Sequence, residues 1–405
     1  MQSLALSWCK RWRFFLVLVC CTLLVSYGYL SYRPPYRLYT EFTNNEIQIA
    51  RNFLKDQVNP KFVKFKQLQG AGFNNQVQEI LLFHHLSLIS SRIYTYQPFI
   101  WRPRNQELPL SVFLPGPTKF TIPFALFNEV CSPESVTHHR ILGDHNDIWR
   151  LTREILEGPD RCIEIDDWIL NWNYLSSPAL QKVWPGFQHY LSTHFEWSSQ
   201  IQAIVDRAYS TLNLHSSGTH GEPYMALHIR RGDFPGHCTS LADVGMGFTT
   251  WATLPSLNDS ILPPALDAKN KSSVMEHCYS SLSRILDAID RHAIKKSHLR
   301  ALYILHDGAI DHLPVYLDLW KLEAALKNPT RAQRAGWKNG PMKLVIDSSQ
   351  VPIKWGENDF TVAVDVELAR NAEVFIGNGY SSLSSQIVAL RLGTKEGKME
   401  DITLL

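Results

Sequence analysis

The chain has 405 residues, of which 45% are hydrophobic, and a formal net charge of +2. This length and composition predict a globular protein of two or three domains with ample core, and they exclude a disordered chain. The nearly balanced charge gives no reason to expect a nucleic-acid ligand or a strongly basic membrane-binding surface.

The first predicted element is an uncharged apolar run near the N-terminus, Phe14–Leu30. Its length is near the lower limit for a helix that spans a bilayer. Lys10, Arg11 and Arg13 precede it, and such a basic flank favours a cytoplasmic N-terminus. A cleaved signal peptide is the alternative, but no small-x-small cleavage site follows the run. We therefore expect a cytoplasmic tail over 1–13, a single-pass type II signal anchor, and a lumenal body in the endoplasmic reticulum or Golgi.

Four cysteines lie in the predicted lumenal body. An even number of cysteines in an oxidising compartment predicts disulfide bonds. Three pairings are possible, and proximity in the sequence favours Cys131–Cys162 and Cys238–Cys278. A zinc site is the alternative, but the chain has no Cys-x-x-Cys pair to suggest one.

Predicted strands and helices alternate along the rest of the chain. Phe62–Leu68 and Ile93–Tyr96 are strand candidates on either side of a helix, which predicts a βαβ unit with a Gly-rich turn at its first strand end. In the second half, Met225–Ile229 is an apolar run typical of a buried parallel strand. Small polar residues near His215–Glu222 mark the boundary between the halves.

This alternation predicts an α/β protein with two domains that face one another across a cleft. The predicted segments are a stem and first helix over 31–55, an N-terminal domain over 56–215 and a C-terminal domain over 216–405. Ser240–Ser273 is an irregular insert that we expect to form an exposed lip of the cleft. It carries two sequons, so Asn258 and Asn270 are candidate glycosylation sites.

The first of three informative motifs is GAGFNNQ, at 70–76. Gly70 and Gly72 allow the backbone to approach a ligand closely. Asn74, Asn75 and Gln76 then begin a helix whose N-terminal N–H groups favour anions. A purely structural turn is the alternative explanation.

The second motif is HIRRGDF, at 228–234. Arg230 and Arg231 follow the end of a predicted buried strand, and open α/β sheets bind their ligands at strand carboxyl ends. Two guanidinium groups at that place suit a diphosphate, because each has a planar fork of donors and a permanent charge. The alternative is a structural Arg–Asp ion pair.

The third motif is EVFIGNGYSSLSSQIVALR, at 373–391. Its short predicted strand ends at Gly377, and Ser381 and Ser382 then begin a helix. A serine at this position is normally an N-cap, but backbone amides with two hydroxyl groups also suit a phosphate. Together the three motifs predict diphosphate recognition at the cleft.

In this order, the three motifs resemble the conserved blocks of GDP-fucose-dependent protein O-fucosyltransferases, their fucosyltransferase relatives, and a group of fungal proteins with the same blocks. The resemblance implies a GT-B fold, with two Rossmann-like domains and GDP-fucose between them. It implies that the C-terminal domain binds the GDP-sugar and the N-terminal domain faces the acceptor. It also implies inverting, metal-independent transfer without a cofactor other than the donor, and the chain has no Asp-x-Asp motif.

The resemblance assigns roles to the residues of the second motif. Arg230 matches the family residue that contacts the diphosphate at the scissile bond. Without a metal, an arginine must neutralise the negative charge that develops on the departing GDP. His228 and Arg231 would assist Arg230, and Asp233 would orient the two arginines.

Other matches concern donor binding. They are Gly72, Phe73, Asn74 and Asn75 for the loop that holds the sugar and phosphates, Asp365 for the nucleoside side, Ser381 and Ser382 for the phosphates, and Leu383 for the position that follows them.

The chain departs from the family pattern at two positions. Ala71 replaces the glutamate that one branch uses as a general base, and Leu383 replaces an aromatic residue. The base therefore stays unassigned, and the reaction is expected to rely on Arg230 and an oxocarbenium-like transition state. Two alternatives remain open: a catalytically weak binding or scaffold protein, and a transferase for another GDP-sugar. The favoured acceptor is a protein Ser or Thr hydroxyl, with a glycan hydroxyl as the other possibility. The oligomeric state is open.

Overall fold

The computed structural model describes residues 2–31, 36–67, 71–101, 106–215, 221–232, 234–308, 313–394 and 398–405. Two five-stranded sheets form the body of the protein, and helices connect their strands. The strands are β1 (Phe62–Phe65), β2 (Ile93–Tyr96), β3 (Phe99–Trp101), β4 (Gln106–Leu108), β5 (Ile122–Pro123), β6 (Val136–His139), β7 (Cys162–Ile165), β8 (Tyr224–Ile229), β9 (Ala301–His306), β10 (Leu344–Asp347), β11 (Val374–Gly377) and β12 (Ile402–Leu404).

The helices are α1 (Gln2–Ser31), α2 (Tyr36–Lys55), α3 (Phe73–Ile89), α4 (Phe127–Val130), α5 (Ile148–Leu156), α6 (Trp172–Leu175), α7 (Pro178–His194), α8 (Ser199–Leu212), α9 (Phe234–Asp243), α10 (Lys271–Cys278), α11 (Leu282–Lys295), α12 (Leu313–Leu326), α13 (Pro329–Arg334), α14 (Thr361–Asn371) and α15 (Ser382–Thr394).

Both sheets are parallel throughout. The first has the order β5-β2-β1-β7-β6, and β3 and β4 form a separate antiparallel hairpin. The second has the order β10-β9-β8-β11-β12, in which the chain moves outward from β8 on one side and then on the other. This doubly wound order places a topological switch point beside β8, where such sheets bind ligands. The α/β architecture with two parallel sheets confirms the predicted fold class.

Strand β8 is buried on both faces, as its continuous apolar sequence predicts. Tyr224 and Ala226 belong to the large hydrophobic cluster, whereas Met225 and Leu227 belong to a second cluster on the opposite face of the sheet. Successive side chains of a strand point to opposite faces, so the strand needs apolar residues at every position.

A single hydrophobic cluster extends across both sheets. It includes Val63 and Tyr94 from the first sheet and Ala226 and Phe375 from the second. Phe113, in the first half of the chain, packs against Phe360, with 5.4 Å between the ring centroids. The interface between the two sheets is therefore part of the core.

Helix α2 contacts both halves of the chain. The hydroxyl of Tyr39 donates a hydrogen bond of 2.6 Å to the carboxylate of Asp359, which lies just before α14. About two helical turns further on, the buried Glu46 accepts hydrogen bonds from the backbone N–H and the hydroxyl of Ser111, both at 2.6 Å. Burial raises the pKa of Glu46, although the Ser111 hydrogen bonds oppose this rise.

Both predicted disulfide bonds are present, Cys131–Cys162 and Cys238–Cys278. The first joins the end of α4 to the start of β7, and both of its cysteines are buried in a small cluster behind the first sheet. Cys20 and Cys21 are free and exposed.

Within the described residues, no helix combines the length and the apolar character that crossing a membrane requires. The signal anchor predicted over Phe14–Leu30 is not supported by this finding. The two sheets lie on either side of the predicted boundary at 215/216, and the boundary itself stays a prediction.

We expect the Cys131–Cys162 bond to contribute substantially to stability. It closes a loop with a sequence separation of 31, and a loop of this length corresponds to about 3.7 kcal/mol of unfolding free energy. Replacing both cysteines with alanine should lower the unfolding free energy by that amount in urea denaturation. The control replaces Cys20 and Cys21 with alanine, which should leave it unchanged. Equal stability of the two variants would contradict the prediction.

Candidate active site

Polar side chains follow the carboxyl ends of three neighbouring strands of the second sheet. Arg230 follows β8, Asp307 follows β9 and Asn378 follows β11. The Arg230 Nε donates a hydrogen bond of 2.9 Å to Asp307 Oδ2. The Arg230 guanidinium also lies 4.8 Å from the centroid of the Phe234 ring, and its side chain remains 30% exposed. The arginine that the resemblance assigns to the leaving group therefore lies at the ligand-binding edge of the sheet.

Asp307 holds the backbone that follows β8 as well as the Arg230 side chain. Its Oδ1 accepts hydrogen bonds from the backbone N–H groups of Arg231 and Gly232, at 2.8 and 3.0 Å. Burial opposes ionisation, but these two donors and the Arg230 charge together hold the pKa of Asp307 below its ordinary value. The carboxylate is therefore charged at neutral pH.

His228 is a buried, neutral side chain at this edge. Its Nδ1 lies 2.7 Å from Ser384 Oγ, which accepts a hydrogen bond of 2.9 Å from the Asn378 backbone N–H. A hydroxyl group has one proton and two acceptor lone pairs, so either Ser384 Oγ or His228 Nδ1 can be the donor of this hydrogen bond. Burial, together with the nearby Arg230 charge, lowers the pKa of His228 to about 3. The neutral imidazole therefore adds no positive charge to the site.

Helix α15 begins at this edge, as the third motif predicts. Ser381 immediately precedes the helix and is only 1% exposed, and its Oγ has no hydrogen-bond partner among the described residues. A buried hydroxyl without a partner is unfavourable unless a ligand satisfies it. Together with the unpaired N–H groups of the first helical turn, this hydroxyl suits an anion.

The first motif meets the third across the interface between the sheets. Gln78, on α3, donates a hydrogen bond of 2.9 Å to the backbone oxygen of Ser382. At the start of α3, Gly72 is exposed, Asn75 is half-buried and lines a small crevice with Gln78, and Asn74 is buried. The Asn74 Oδ1 has no hydrogen-bond partner among the described residues. The first two turns of α3 therefore lie close to the start of α15.

Three of the predicted site residues pack within the protein, namely Arg231, Phe73 and Leu383. Arg231 is buried, with its guanidinium bonded to the backbone oxygen of Ser280, 3.4 Å from Asp318 and 4.2 Å from the Tyr279 ring centroid. Phe73 stacks on Phe99 in an aromatic cluster.

Leu383 is half-buried against the core. Asp233 and Gly70 lie outside the described residues, and the role predicted for Asp233 stays a prediction. Asn258 and Asn270 are both exposed, as the predicted sequons require.

Asp365 lies on α14, behind the strand end of β9. The Tyr303 hydroxyl donates a hydrogen bond to its Oδ1. Burial raises the pKa of Asp365 to about 7, because an enclosed carboxylate loses hydration, and the Tyr303 hydrogen bond only partly offsets this effect. The side chain is therefore divided between its neutral and charged forms near neutral pH.

The carboxyl edge of the first sheet borders a cleft of about 750 Å³. Its walls combine charged groups, amides and aromatic rings. The lining residues are Lys64, Phe65, Lys66, Gln67, Gln97, Pro98, Ile100, Glu107, Phe124, Glu164, Asp166 and Trp168. Lys64 pairs with Glu164 at 2.6 Å, and the Trp168 indole donates a hydrogen bond of 2.8 Å to Glu79 on α3. The volume lies in the range of small-molecule sites.

Sequence reasoning missed two residues of the site. Asp307 directly follows the apolar strand β9, so the strand-end argument that identified Arg230 would have identified it as well. Ser384 carried no such signal, because its role depends on the direction in which α15 leaves the strand end.

Among the described residues, no group of three or more His, Cys, Asp and Glu side chains is placed to hold a metal ion. No family model and no curated protein sequence matches the chain. Solved structures do match over most of its length. The second sheet, with its switch point and polar strand ends, and the first sheet opposite it define a GT-B-type fold.

Solved structures that share this fold include those of POFUT1. A crystal structure of POFUT1 in complex with GDP-fucose has a TM-score of 0.55 and 14% identity, and covers 86% of this chain and 98% of that chain. A complex with GDP has a TM-score of 0.54 and 14% identity, with 84% and 97% covered. The apo form has a TM-score of 0.52 and 15% identity, with 83% and 96% covered. At this identity the likeness establishes the fold, and it confirms the predicted resemblance to fucosyltransferases at that level.

The raised pKa of Asp365 predicts a pH-dependent stability difference. The folded pKa is about 7 and the ordinary value is 3.8, so the folded protein binds more protons than the unfolded chain between these values. The contribution of Asp365 to the unfolding free energy is therefore fully present below about pH 4 and is lost as the pH rises through about 7. Between pH 5 and pH 7, the unfolding free energy of Asp365→Asn should therefore rise relative to that of wild type, by at most about 1.4 kcal/mol per pH unit.

Urea denaturation at both pH values measures this difference. The control is Asp206→Asn on α8, an exposed residue whose carboxyl is solvated in the folded and unfolded states. Its difference from wild type should be the same at both pH values. A pH-independent difference for Asp365→Asn would contradict the prediction.

Proposed function

We propose that the protein is a glycosyltransferase that moves fucose from GDP-fucose to a hydroxyl acceptor, without a metal and with inversion. The observation that carries the proposal is the pairing of two features at one sheet edge. Arg230 lies partly exposed at the end of β8, and the buried Ser381 hydroxyl at the start of α15 has no hydrogen-bond partner among the described residues. The GT-B-type fold shared with POFUT1 in complex with GDP-fucose supports the choice of donor.

Arg230 would stabilise the leaving group. Cleavage of the bond between fucose and the β-phosphate places negative charge on GDP, and a fixed guanidinium near that phosphate lowers the energy of the transition state. Ser381 and the first N–H groups of α15 would supply neutral donors for the phosphates. His228 would assist them through its hydrogen bond with Ser384. Arg231 would support this site by fixing the fold around it, since its guanidinium is used within the protein.

The acceptor would enter from the first sheet. The cleft at its carboxyl edge contains carboxylates, amides and the Trp168 ring, which suit a polar ligand that also has apolar faces. We favour a Ser or Thr hydroxyl of a protein. Since position 71 is the buried Ala71, no carboxylate there can accept the proton. The reaction would then depend on leaving-group departure through an oxocarbenium-like transition state.

The site also suits a protein that binds a GDP-sugar without efficient transfer, because Ala71 and Leu383 lack the groups found in the family. A transferase for another GDP-sugar shares the same diphosphate contacts. Calorimetry with GDP and with a panel of GDP-sugars, followed by detection of GDP release, separates the three. Absence of GDP binding by the folded protein would overturn the proposal. Binding without turnover would favour the non-catalytic alternative.

We also propose that the protein works in the endoplasmic reticulum or Golgi lumen. Its two disulfide bonds favour an oxidising compartment, and its two sequon asparagines are exposed. A glycosidase-sensitive mass shift that Asn258→Gln and Asn270→Gln together abolish would support this location.

Arg230→Ala is expected to reduce the turnover number by about a thousandfold or more, because a donor to the developing charge is removed. The melting temperature should change little, since the Arg230–Asp307 pair is partly exposed. Steady-state kinetics and thermal denaturation measure the two quantities. Arg231→Ala is the contrasting variant, and its melting temperature should fall because a buried guanidinium is lost. A large loss of stability in Arg230→Ala would indicate a structural role instead.

Ser381→Ala is expected to weaken GDP binding without destabilising the free protein. The unpartnered Oγ contributes no hydrogen bond within the described residues, whereas a bond to a charged phosphate corresponds to about tenfold or more in Kd. Calorimetry gives Kd, and urea denaturation gives the unfolding free energy. The control is Ser385→Ala, whose equally buried hydroxyl accepts the Trp251 backbone N–H at 2.8 Å. That variant should instead lose stability. Unchanged GDP affinity in Ser381→Ala would exclude the serine from the site.

A further inference from the structure

We propose that Asp307 is a positioning residue that fixes the orientation of Arg230 at the donor diphosphate. This inference rests on the proposed function, because it concerns how the leaving-group arginine is held. The sequence motifs did not identify Asp307, which lies 77 residues after Arg230 in the chain. The parallel pairing of β8 with β9 brings the two together, with Ile229 beside His306 in the register.

The two carboxylate oxygens of Asp307 have different partners. Oδ1 accepts the backbone N–H groups of Arg231 and Gly232, and Oδ2 accepts the Nε–H of Arg230. One oxygen therefore fixes the chain from which the arginine emerges, and the other fixes the side chain. The guanidinium is attached to Asp307 through its Nε–H group.

Close packing at Gly232 supports this arrangement. A β-carbon at this position would lie 3.1 Å from the Asp307 backbone oxygen and 3.2 Å from its Oδ2. These distances are shorter than ordinary van der Waals contact, so a larger residue would push the loop and the carboxylate apart. Glycine lets the turn after β8 fold closely around Asp307.

The Phe234 ring also restricts the position of the Arg230 guanidinium. Its centroid lies 4.8 Å from the guanidinium carbon, a distance typical of a cation–π contact. Arg231 has separate partners in Ser280 and Asp318. The side-chain bond from Asp307 is therefore made to Arg230 and not to its neighbour.

A partly exposed ion pair adds little to stability in most proteins, so a stabilising role alone does not account for this arrangement. Orientation does account for it, because a displacement of about 1 Å at a reacting group can reduce the rate by roughly a hundredfold. An arginine fixed before the donor binds also needs no reorganisation when charge develops on the phosphate.

The test uses Asp307→Asn in the full chain. The amide oxygen can still accept the two backbone N–H groups, whereas the amide NH₂ would face the Arg230 Nε–H, and two donors cannot bond. We expect kcat with GDP-fucose to fall by about a hundredfold. The Kd for GDP should change by less than about tenfold, because Ser381 and the α15 amides still bind the phosphates.

Asp290→Asn is a matched control. Asp290 pairs with Arg331 at 2.8 Å in the same domain, and the side-chain exposures of the two pairs are similar. This variant should retain kcat, even though it loses a comparable ion pair. A second variant, Asp307→Glu, keeps the charge but displaces it by one methylene, and its kcat should also fall. Thermal denaturation of each variant confirms that it is folded at the assay temperature.

A double-mutant cycle completes the test. If Asp307 acts through Arg230, Asp307→Asn should change the residual rate of Arg230→Ala by less than about twofold, because interacting residues are not additive. Unchanged kcat in Asp307→Asn would overturn the inference. So would a hundredfold loss in the Arg230→Ala background, or an equal loss in Asp290→Asn. Wild-type protein that does not bind GDP would instead overturn the proposed function.

Discussion

The candidate site depends on the ion pair between the ends of two adjacent strands, Arg230 after β8 and Asp307 after β9. In a parallel sheet the carboxyl ends of the strands lie at one edge. Backbone N–H groups beyond these ends no longer pair with a neighbouring strand, so side chains must accept their hydrogen bonds. Asp307 accepts hydrogen bonds from the backbone of the turn after β8, and the same carboxylate bonds to the Arg230 side chain. The fold and the candidate site thus share one group, the Asp307 carboxylate.

Charge at this edge is distributed by burial as well as by residue type. Hydrogen bonds keep Asp307 ionised, whereas burial keeps His228 neutral and raises the pKa of Asp365 to about 7. An anionic ligand would therefore meet the positive charge of Arg230, the neutral hydroxyl of Ser381, and little repulsion from Asp365 when that carboxyl is protonated. This arrangement suits a diphosphate better than the formal charges of the residues would indicate.

Much of this architecture could be predicted from the sequence because it depends on local patterns. Apolar runs located β8 and β11, and the proximity of the cysteines favoured the two disulfide pairings that are present. Residues after the strand ends made Arg230 and Ser381 candidates for the site. The direction of a side chain could not be predicted in this way. Arg230 and Arg231 are identical neighbours, yet only one remains at the edge, because the pleat and the loop send the other into the interior toward Ser280. The packing of Phe73 could not be predicted either, because it depends on Phe99, a residue distant in the sequence that the fold brings beside it.

Helix α2 has a consequence for the dynamics of ligand binding. It bonds to Asp359 in one half of the chain and to Ser111 in the other, and a continuous apolar core joins the two sheets beneath it. Many two-domain binding proteins close around their ligands by hinge bending, and part of the intrinsic affinity is lost when the open form predominates. Here a hinge motion would have to break buried hydrogen bonds and open packed core. Each ligand would therefore meet a cleft whose width is already set, and selectivity would depend on fit to a rigid template.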